Sequence, residues 1–494
     1  MHLSQASRYR PDPAILSLGD AFYDPVTAAD FPQAILRFRN DRAAAEVGLD
    51  GLSEEEWVRH LARFEPLPDN LPQPLALRYH GHQFRSYNPE LGDGRGFLFA
   101  QLRDAGGRLM DLGTKGSGQT PWSRFGDGRL TLKGGIREIL ATEMLEALGV
   151  RTSRTLSLVE TGEALHRGDE PSPTRSAVMV RLSHGHIRIG TFQRLAYLEQ
   201  EENLRKLTDY CLRQYFPGDR HCEERNDEAI QAEGPGDGLL RSARNDGEAA
   251  VELLSHVVAG TARLAASYIA AGFVHGVLNS DNINVTAESF DYGPWRWTPK
   301  WDGHFTAAYF DHAGLYSFGR QPEAIHWDVM QLGMSLRSVA PAEGLTEALG
   351  RFPDLFQDAL RERVFWRLGI APGDEEEDAA LLVGIEQALA KQNVAIDRFF
   401  FDWRGGRRRG SSPAQAAYEA PEFQLVAEGL ERREPVPGAA DHPYWGDAEP
   451  CSMHIEEVEA IWARIDQEDD WSALEAKVAA VRRMGEAHGV PQRA

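Results

Sequence analysis

A series of short motifs occurs along this chain in an order that few folds require. A glycine loop at 92–96 comes first, Lys115 ends the second of two apolar runs, and Glu138 lies in the helical pattern that follows. The segment HGVLNSDN at 275–282 comes next, and Asp291 opens an Asp-Tyr-Gly. Glycine amides, a lysine and hard oxygen donors are the groups that hold polyphosphates and their cations. The order therefore predicts a nucleotide site between a sheet and a helical region.

The segment at 275–282 keeps half of a kinase catalytic loop. Kinase-like phosphotransferases use His-x-Asp-x-x-x-x-Asn, in which the Asp is the base and the Asn binds metal, followed by a metal-binding Asp-Phe-Gly. Here Asn282 and Asp291 fall where metal ligands are expected, but Val277 replaces the base and cannot accept a proton. Asp281 lies beside Asn282 and is the candidate base. A polar turn after a helix is the alternative, and the Asp-Tyr-Gly argues against it.

Lys115 and Glu138 are the expected ion pair of such a site. The carboxylate holds the ammonium over the nucleotide phosphates, because a lone buried lysine tends to lose its proton. Arg95 adds a positive charge to the glycine loop, although a tight hairpin without any ligand would explain those glycines equally well.

Apolar patterns predict the elements around these motifs. Runs at 97–102 and 109–114 predict a β-hairpin, 136–148 a helix ended by Gly149, and 178–182 a strand. Residues 251–271 predict a long helix ended by Gly272, and further helical patterns occur at 28–38, 53–64 and 471–483. The polar, glycine-rich segment 221–247 is interpreted as an inserted mobile surface loop.

The overall prediction is an α+β, protein-kinase-like, two-lobed fold with an N-terminal helical extension and a mainly helical C-terminal lobe. The predicted units are 1–70 (extension), 71–195 (N-lobe), 196–437 (C-lobe) and 438–494 (C-terminal tail with a helix).

Charge and composition narrow the partners. A formal net charge of -22 argues against nucleic acid, so polyphosphate requires a local basic cluster. That cluster consists of Lys115, Arg124, Arg129, Lys133, Arg137, Arg181 and Arg188. No apolar run reaches the roughly 18 residues of a membrane span, and the N-terminus has no signal-peptide pattern. Three cysteines are too few for a disulfide framework or a zinc site, and His-x-His pairs at 80/82 and 184/186 lack a third ligand. We expect a cytoplasmic protein.

Longer strings extend the pattern to a known family. They include YHGHQF at 79–84, NPELGDGRG at 88–96, LGTKGSGQTPWSRFGDGR at 112–129, GHIRIG at 185–190 and GFVHGVLNSDN at 272–282. The chain resembles the bacterial branch of the selenoprotein O family, kinase-fold proteins that act as protein adenylyltransferases.

The resemblance implies that ATP binds in a flipped orientation and that AMP is transferred to Ser, Thr or Tyr hydroxyls of proteins, with Mg²⁺ or Mn²⁺. It implies Asp281 as the proton acceptor and Asn282 and Asp291 as metal ligands. The implied nucleotide-binding residues are Gly92, Gly94, Arg95, Lys115, Asp127, Gly128, Glu138, Arg181, Arg188 and Asp291.

Two departures limit the resemblance. Family members can carry a regulatory disulfide, but residues 291–318 contain no cysteine, and Ala307 stands about where one is expected. The region past Gly438 also matches the family poorly. A phosphotransferase on protein or a small molecule, and a non-catalytic ATP-binding pseudokinase, are the alternative functions.

Overall fold

The computed structural model describes residues 8–168, 170–217 and 237–490, of which residues 237–246 are described by their backbone alone. The fold is α+β, because antiparallel strands precede most of the helices along the chain. The strands are β1 (Tyr23–Pro25), β2 (Ile35–Arg39), β3 (Leu75–Leu77), β4 (Gly81–Gln83), β5 (Ser86–Asn88), β6 (Leu98–Arg103), β7 (Leu109–Lys115), β8 (Leu130–Thr131), β9 (Arg154–Leu165), β10 (Thr174–Ser183), β11 (Phe273–Val274) and β12 (Arg296–Trp297). The helices are α1 (Asp41–Glu46), α2 (Glu54–Leu61), α3 (Leu132–Ala147), α4 (Ile189–Tyr197), α5 (Glu201–Tyr215), α6 (Asp237–Ala271), α7 (Gln321–Ser335), α8 (Ala342–Gly350), α9 (Phe352–Leu368), α10 (Glu375–Gln392), α11 (Ile396–Asp402), α12 (Gln415–Tyr418), α13 (Pro421–Glu431), α14 (Ile455–Glu468) and α15 (Ser472–Ala487).

One antiparallel sheet organises the first part of the chain. Its strands run in the order β1-β3-β6-β7-β10-β9-β2, and β8 pairs with β10. Strands β6 and β7 form the predicted hairpin, in which Leu102 pairs with Met110 across the Gly106–Gly107 turn. The sheet thereby brings Lys115, at the end of β7, next to Met179 on β10.

Both faces of this sheet are covered, as alternation along β10 shows. Val178, Val180 and Leu182 pack with α1 and α2 in one core, whereas Ala177 and Met179 pack with α3 in the other. Successive strand residues point to opposite faces, so each face buries its own apolar set.

The helix predicted at 28–38 is wrong. Residues 35–39 form β2, which pairs with β9 so that Leu36 faces Val159. Short apolar runs are compatible with either a helix or a strand. Here the hydrogen bonds available along β9 favour the strand. The predicted helix at 53–64 is confirmed as α2, which begins with a capping box between Ser53 and Glu56. The N-terminal extension thus contributes strands to the main sheet as well as helices.

Helix α6 is longer than the sequence predicts. It is helical from Asp237, the first described residue of this part of the chain, so 237–247 is helix rather than the predicted loop, while 221–236 lies outside the described residues. Extending an existing helix needs no new nucleus, and Leu, Arg and Ala in this stretch favour helix. The stretch Gly247–Ala271 is long and apolar enough to cross a membrane, but 56% of its most apolar window is buried within the protein. It also packs against α7 and α9, as a core helix does.

Two late helices brace α3. The predicted helix at 471–483 is confirmed as α15, whose Arg482 Nε donates to Glu143 Oε2 at 2.7 Å. Gly485 of α15 packs so closely on α3 that an added Cβ would lie 3.2 Å from Ala147 Cα. From α14, Glu459 accepts a hydrogen bond from Lys133 at 2.7 Å. Since α3 also carries Glu138, these contacts help to set one wall of the site.

Candidate active site

A cavity of about 740 Å³ opens between the sheet and the segment that follows α6. The predicted residues that line it are Gly92, Gly94, Arg95, Lys115, Asp127, Gly128, Arg181, Arg188, Asp281, Asn282 and Asp291. Glu138 lies behind Lys115, where it accepts a hydrogen bond from the Lys115 ammonium. The structure therefore gathers the predicted residues around one cavity.

Lys115 joins the sheet wall to the Asp-Tyr-Gly segment. Its Nζ contacts Glu138 on α3 and lies 2.7 Å from Asp291 Oδ1. Only 5% of Lys115 is exposed, so both carboxylates offset a charge that burial would otherwise penalise.

Two arginines complete a cationic cluster around Asp291. Arg181, on β10, places Nη1 3.7 Å from Asp291 Oδ1, and Arg188, which precedes α4, places Nη1 3.8 Å from Oδ2. Burial alone would raise the pKa of Asp291, but Lys115, Arg181, Arg188 and Arg95 hold that pKa well below its usual range. Asp291 is therefore ionised throughout the physiological range.

Arg181 and Arg188 are held by aromatic rings and by Asp93, none of which was predicted as part of the site. Arg188 lies 4.5 Å from the ring centre of Tyr79 and 4.7 Å from that of Phe290, and its Nη2 is 3.5 Å from Asp93 Oδ1. Arg181 lies 5.0 Å from the Phe290 ring centre. Asp93 lies inside the glycine loop and Phe290 directly precedes Asp291. Their positions within these motifs could have identified them as site residues from the sequence.

Asp281 lies in a contrasting environment within the same cavity. Burial raises its pKa to about 6, and Arg188 lowers it only in part. Its Oδ1 is buried without a hydrogen-bond partner among the described residues, while its backbone carbonyl accepts from Arg188 Nη1 at 2.8 Å. The carboxylate is thus held in place through the main chain and has an oxygen available to accept a proton.

Val277, which stands where kinases have the catalytic base, helps to hold Asn282, the candidate metal ligand. Asn282 Nδ2 donates to the backbone carbonyl of Val277 at 3.0 Å. His275 is buried, and its Nε2 lies 3.1 Å from the Phe290 carbonyl oxygen. Burial lowers the pKa of His275, so this ring is neutral and ties the loop to the segment before Asp291.

Packing explains two of the cavity glycines. A Cβ on Gly92 would lie 2.4 Å from Trp122 Cγ, and one on Gly94 would lie 2.9 Å from the Trp122 carbonyl oxygen. Residues 120–123 therefore lie directly against the glycine loop. Close approach within the protein requires these glycines, whatever a phosphate would add.

Asp127 and Gly128 lie at the rim. Asp127 Oδ2 is 2.8 Å from Arg167 Nη1, and 48% of the Asp127 side chain is exposed. Gly128 has a φ of +70°, and an added Cβ would lie 2.2 Å from Gly118 C. Both residues reach the cavity, but the contacts seen for them hold the loop together.

The oxygen donors fit a hard cation bound together with phosphates. Within residues 8–168, 170–217 and 237–490, no group of three or more His, Cys, Asp or Glu side chains forms a metal cage. Mg²⁺ usually binds one or two carboxylates plus substrate phosphates and water, which Asn282 and the ionised Asp291 suit.

The histidine pairs serve the structure. His80 Nδ1 bonds the Tyr87 hydroxyl at 2.8 Å, and His184 Nδ1 bonds the Leu109 carbonyl at 2.9 Å. His186 lies 3.2 Å from Asp111 and accepts from Arg181 Nε at 3.2 Å, so it positions a cavity arginine.

Comparison with known proteins finds relatives that match most of this chain. "Protein nucleotidyltransferase YdiU" of Synechocystis is 48% identical over 401 residues, covering 80% of this chain and 79% of the relative. The Gloeobacter violaceus protein of that name is 41% identical over 495 residues, covering 96% and 95%. The Pseudomonas putida one is 35% identical over 401 residues, covering 81% and 75%. The class is that of the nucleotidyltransferase enzymes.

The family follows from a further match. A family model described as "Protein adenylyltransferase SelO" matches residues 6–422, and the chain belongs to this family. The resemblance predicted from the motifs is confirmed, and it extends further along the chain than the strings that first indicated it.

Proposed function

We propose that this protein transfers AMP from ATP to a Ser, Thr or Tyr hydroxyl of another protein. One observation carries the proposal: a buried cationic cluster lines the same cavity as the carboxylate of Asp281, whose Oδ1 has no hydrogen-bond partner in the described part of the chain. The cluster suits phosphates, and the carboxylate suits a hydroxyl proton.

The proposed architecture is a protein-kinase-like fold of two lobes. The sheet and α3 supply Lys115 and Glu138, and the segment after α6 supplies Asp281 and Asp291. Such a division supports nucleotide binding in the cleft between a sheet-based lobe and a helical one.

In the proposed reaction Asp281 accepts the proton of the acceptor hydroxyl. The hydroxyl oxygen forms a bond to the α-phosphorus of ATP, the bond from that phosphorus to the bridging oxygen breaks, and pyrophosphate leaves. A pKa of about 6 keeps Asp281 largely ionised near neutral pH yet basic enough to take a proton in the transition state.

The cations act on the phosphates in this scheme. Arg181 and Arg188 would offset the negative charge on the transferring group, and Lys115 would contact the remaining phosphates in the flipped orientation. Asn282 and Asp291 would hold Mg²⁺ or Mn²⁺, which when bound neutralises phosphate charge.

The test is incubation with ATP labelled at the α- or the γ-phosphorus, with Mg²⁺ or Mn²⁺ and mixed proteins, followed by intact-mass analysis. We expect protein-bound α-label and a mass gain of one AMP, lost in Asp281→Asn. Transfer of γ-label alone would instead establish a phosphotransferase, and ATP binding without transfer a pseudokinase.

A further inference from the structure

The hairpin of β4 and β5 lies directly on the loop that carries Asp281. A Cβ on Gly81 would lie 2.8 Å from Asp281 Oδ1, and His82 N donates to Ser280 Oγ at 2.7 Å. Phe84 N donates to Asn279 Oδ1 at 3.1 Å. The hairpin therefore contacts successive residues of the loop and cannot shift independently of Asp281.

The turn of this hairpin is strained. Gln83 pairs with Ser86, which leaves Phe84 and Arg85 as a two-residue turn with φ of +50° and +63°. Two positive φ angles are typical of a type I′ turn, which favours Asn-Gly and disfavours bulky residues. Strain kept at one site points to a use for the side chains that cause it.

Phe84 contacts rings from another segment in a group of four, of which three are exposed and the fourth, Tyr316, is buried with 3% exposure. Its ring centre lies 5.9 Å from that of Phe310 and 5.1 Å from that of Tyr316, and Phe310 lies 5.1 Å from Tyr309. The exposed fractions are 38% for Phe84, 42% for Phe310 and 79% for Tyr309. We name these four residues the aromatic shelf.

The segment that carries the other three rings is fixed although it has no regular secondary structure. Asp311 accepts from the backbone amides of Leu315 at 2.9 Å and Tyr316 at 2.8 Å. The Tyr316 hydroxyl donates to Asn279 Oδ1 at 2.8 Å. Asn279 therefore links both halves of the shelf to the loop that carries Asp281.

The shelf continues from the rim of the cavity. Gln83, Asn279 and Asp281 line the cavity, so a polypeptide that presents a hydroxyl to Asp281 also lies near the shelf. The neighbouring Glu323 is paired with Arg85 and Arg320, at 2.9 Å and 3.1 Å. A surface of exposed rings with paired charges fits an apolar side chain rather than a charged one.

We propose that the aromatic shelf binds an apolar side chain of the acceptor protein, close in sequence to the hydroxyl residue that is modified. This inference rests on the proposed function, because it assigns the shelf to the acceptor of that reaction. It makes Phe84 a determinant of acceptor specificity with no part in ATP binding.

The test uses synthetic peptides that carry one Ser, Thr or Tyr and a neighbouring position varied among Leu, Phe, Ala, Lys and Glu. AMP transfer is measured for the unsubstituted protein and for Phe84→Asn, which suits the positive φ and removes the ring. We expect peptides with Leu or Phe to be preferred. We also expect Phe84→Asn to lower kcat/KM for them about tenfold, mainly through KM, with an unchanged Kd for ATP.

Controls separate the shelf from general effects. Phe84→Trp keeps a ring and should retain the preference, and Leu425→Ala removes an exposed apolar side chain of α13 and should change nothing. Transfer without any preference for apolar neighbours, or equal kcat/KM in Phe84→Asn, would overturn the shelf alone. Absence of transfer to every peptide by a protein that still labels mixed proteins would overturn the shelf alone, and absence of transfer to both would overturn the proposed function and the shelf with it.

Discussion

Asp291 and Asp281 line one cavity, yet their surroundings are opposite. Asp291 lies among Lys115, Arg181 and Arg188, which hold its pKa well below the usual range. Asp281 is buried with weaker compensation, and its pKa rises to about 6. The comparison shows how surroundings set the charge of a carboxylate: Asp291 is a permanent anion suited to a cation, and Asp281 is suited to exchange a proton.

The largest expected effect comes from removing the permanent anion. Asp291→Asn leaves three buried cations without their shared carboxylate and removes a candidate metal ligand, so we expect AMP transfer to fall about 10³-fold or more. Transfer assayed across a Mg²⁺ and Mn²⁺ titration measures the effect. Asp447→Asn, which removes a carboxylate paired with Arg483 at the surface, is the control. Near-normal transfer by Asp291→Asn at ordinary metal concentrations would contradict the assignment.

Removing the proposed proton acceptor should lower AMP transfer somewhat less. Asp281→Asn keeps the shape of the side chain, so we expect ATP affinity to be retained while kcat falls about 10²-fold to 10³-fold. In the unsubstituted protein, kcat should decrease as the pH falls below about 6, because Asp281 becomes protonated there. Steady-state rates from pH 5 to 8 provide the measurement. An unchanged pH profile in Asp281→Asn would exclude Asp281 as the base.

Stability should respond to the two substitutions with opposite sign. A raised pKa means that the charge on Asp281 opposes folding increasingly as the pH rises from about 4 to about 6, so at pH 7 Asp281→Asn should stabilise by about 3 kcal/mol, a gain that disappears towards pH 4. The lowered pKa of Asp291 means that its charge supports folding above its unfolded pKa, so Asp291→Asn should destabilise by about 3 kcal/mol at pH 7. Urea unfolding at pH 7 and pH 4 measures both. Equal signs at pH 7 would remove the contrast between the two carboxylates.

The smallest expected effect, on ATP affinity, comes from substituting Glu138, which pairs with Lys115 beside Asp291. Glu138→Gln leaves the ammonium paired with Asp291 alone, and we expect ATP affinity to weaken about tenfold. Glu146→Gln is the matched control, because Glu146 lies on the same helix but pairs with Arg42 at 2.6 Å. Calorimetric titration with ATP measures both variants, and equal weakening would show that α3 responds as a whole rather than through Lys115.

The sequence predicted the elements that depend on residues close together in the chain, such as the hairpin of β6 and β7 and helix α3. The hairpin of β6 and β7 has a glycine turn between two apolar runs, and α3 ends where Gly149 takes a φ of +69°. Residues 35–39 could not be assigned in this way, because their state depends on pairing with β9, which is far along the chain. The helix over 237–247 was not predicted, because this stretch is polar and contains glycine, although it is continuous with the apolar helix that follows it.

In the site, too, the residues in sequence motifs were predicted, whereas the contacts set by packing were not. Lys115, Glu138 and Asp291 were predicted from their order and residue types, and the structure brings them into contact. Ring positions around Arg188 and the contact between Gly81 and Asp281 depend on three-dimensional packing, for which the sequence carries no local signal.

The bracing of α3 by α15 has a consequence for the timing of synthesis. The ribosome makes the helix that carries Glu138 early, but the helix that covers its outer side, Ser472–Ala487, emerges much later. Domains fold as their chain appears, so a nascent chain that ends before Ser472 holds α3 with one side uncovered. We expect that a nascent chain without this helix cannot yet align Glu138 with Lys115, so the proposed AMP transfer would begin only after translation has passed Ala487.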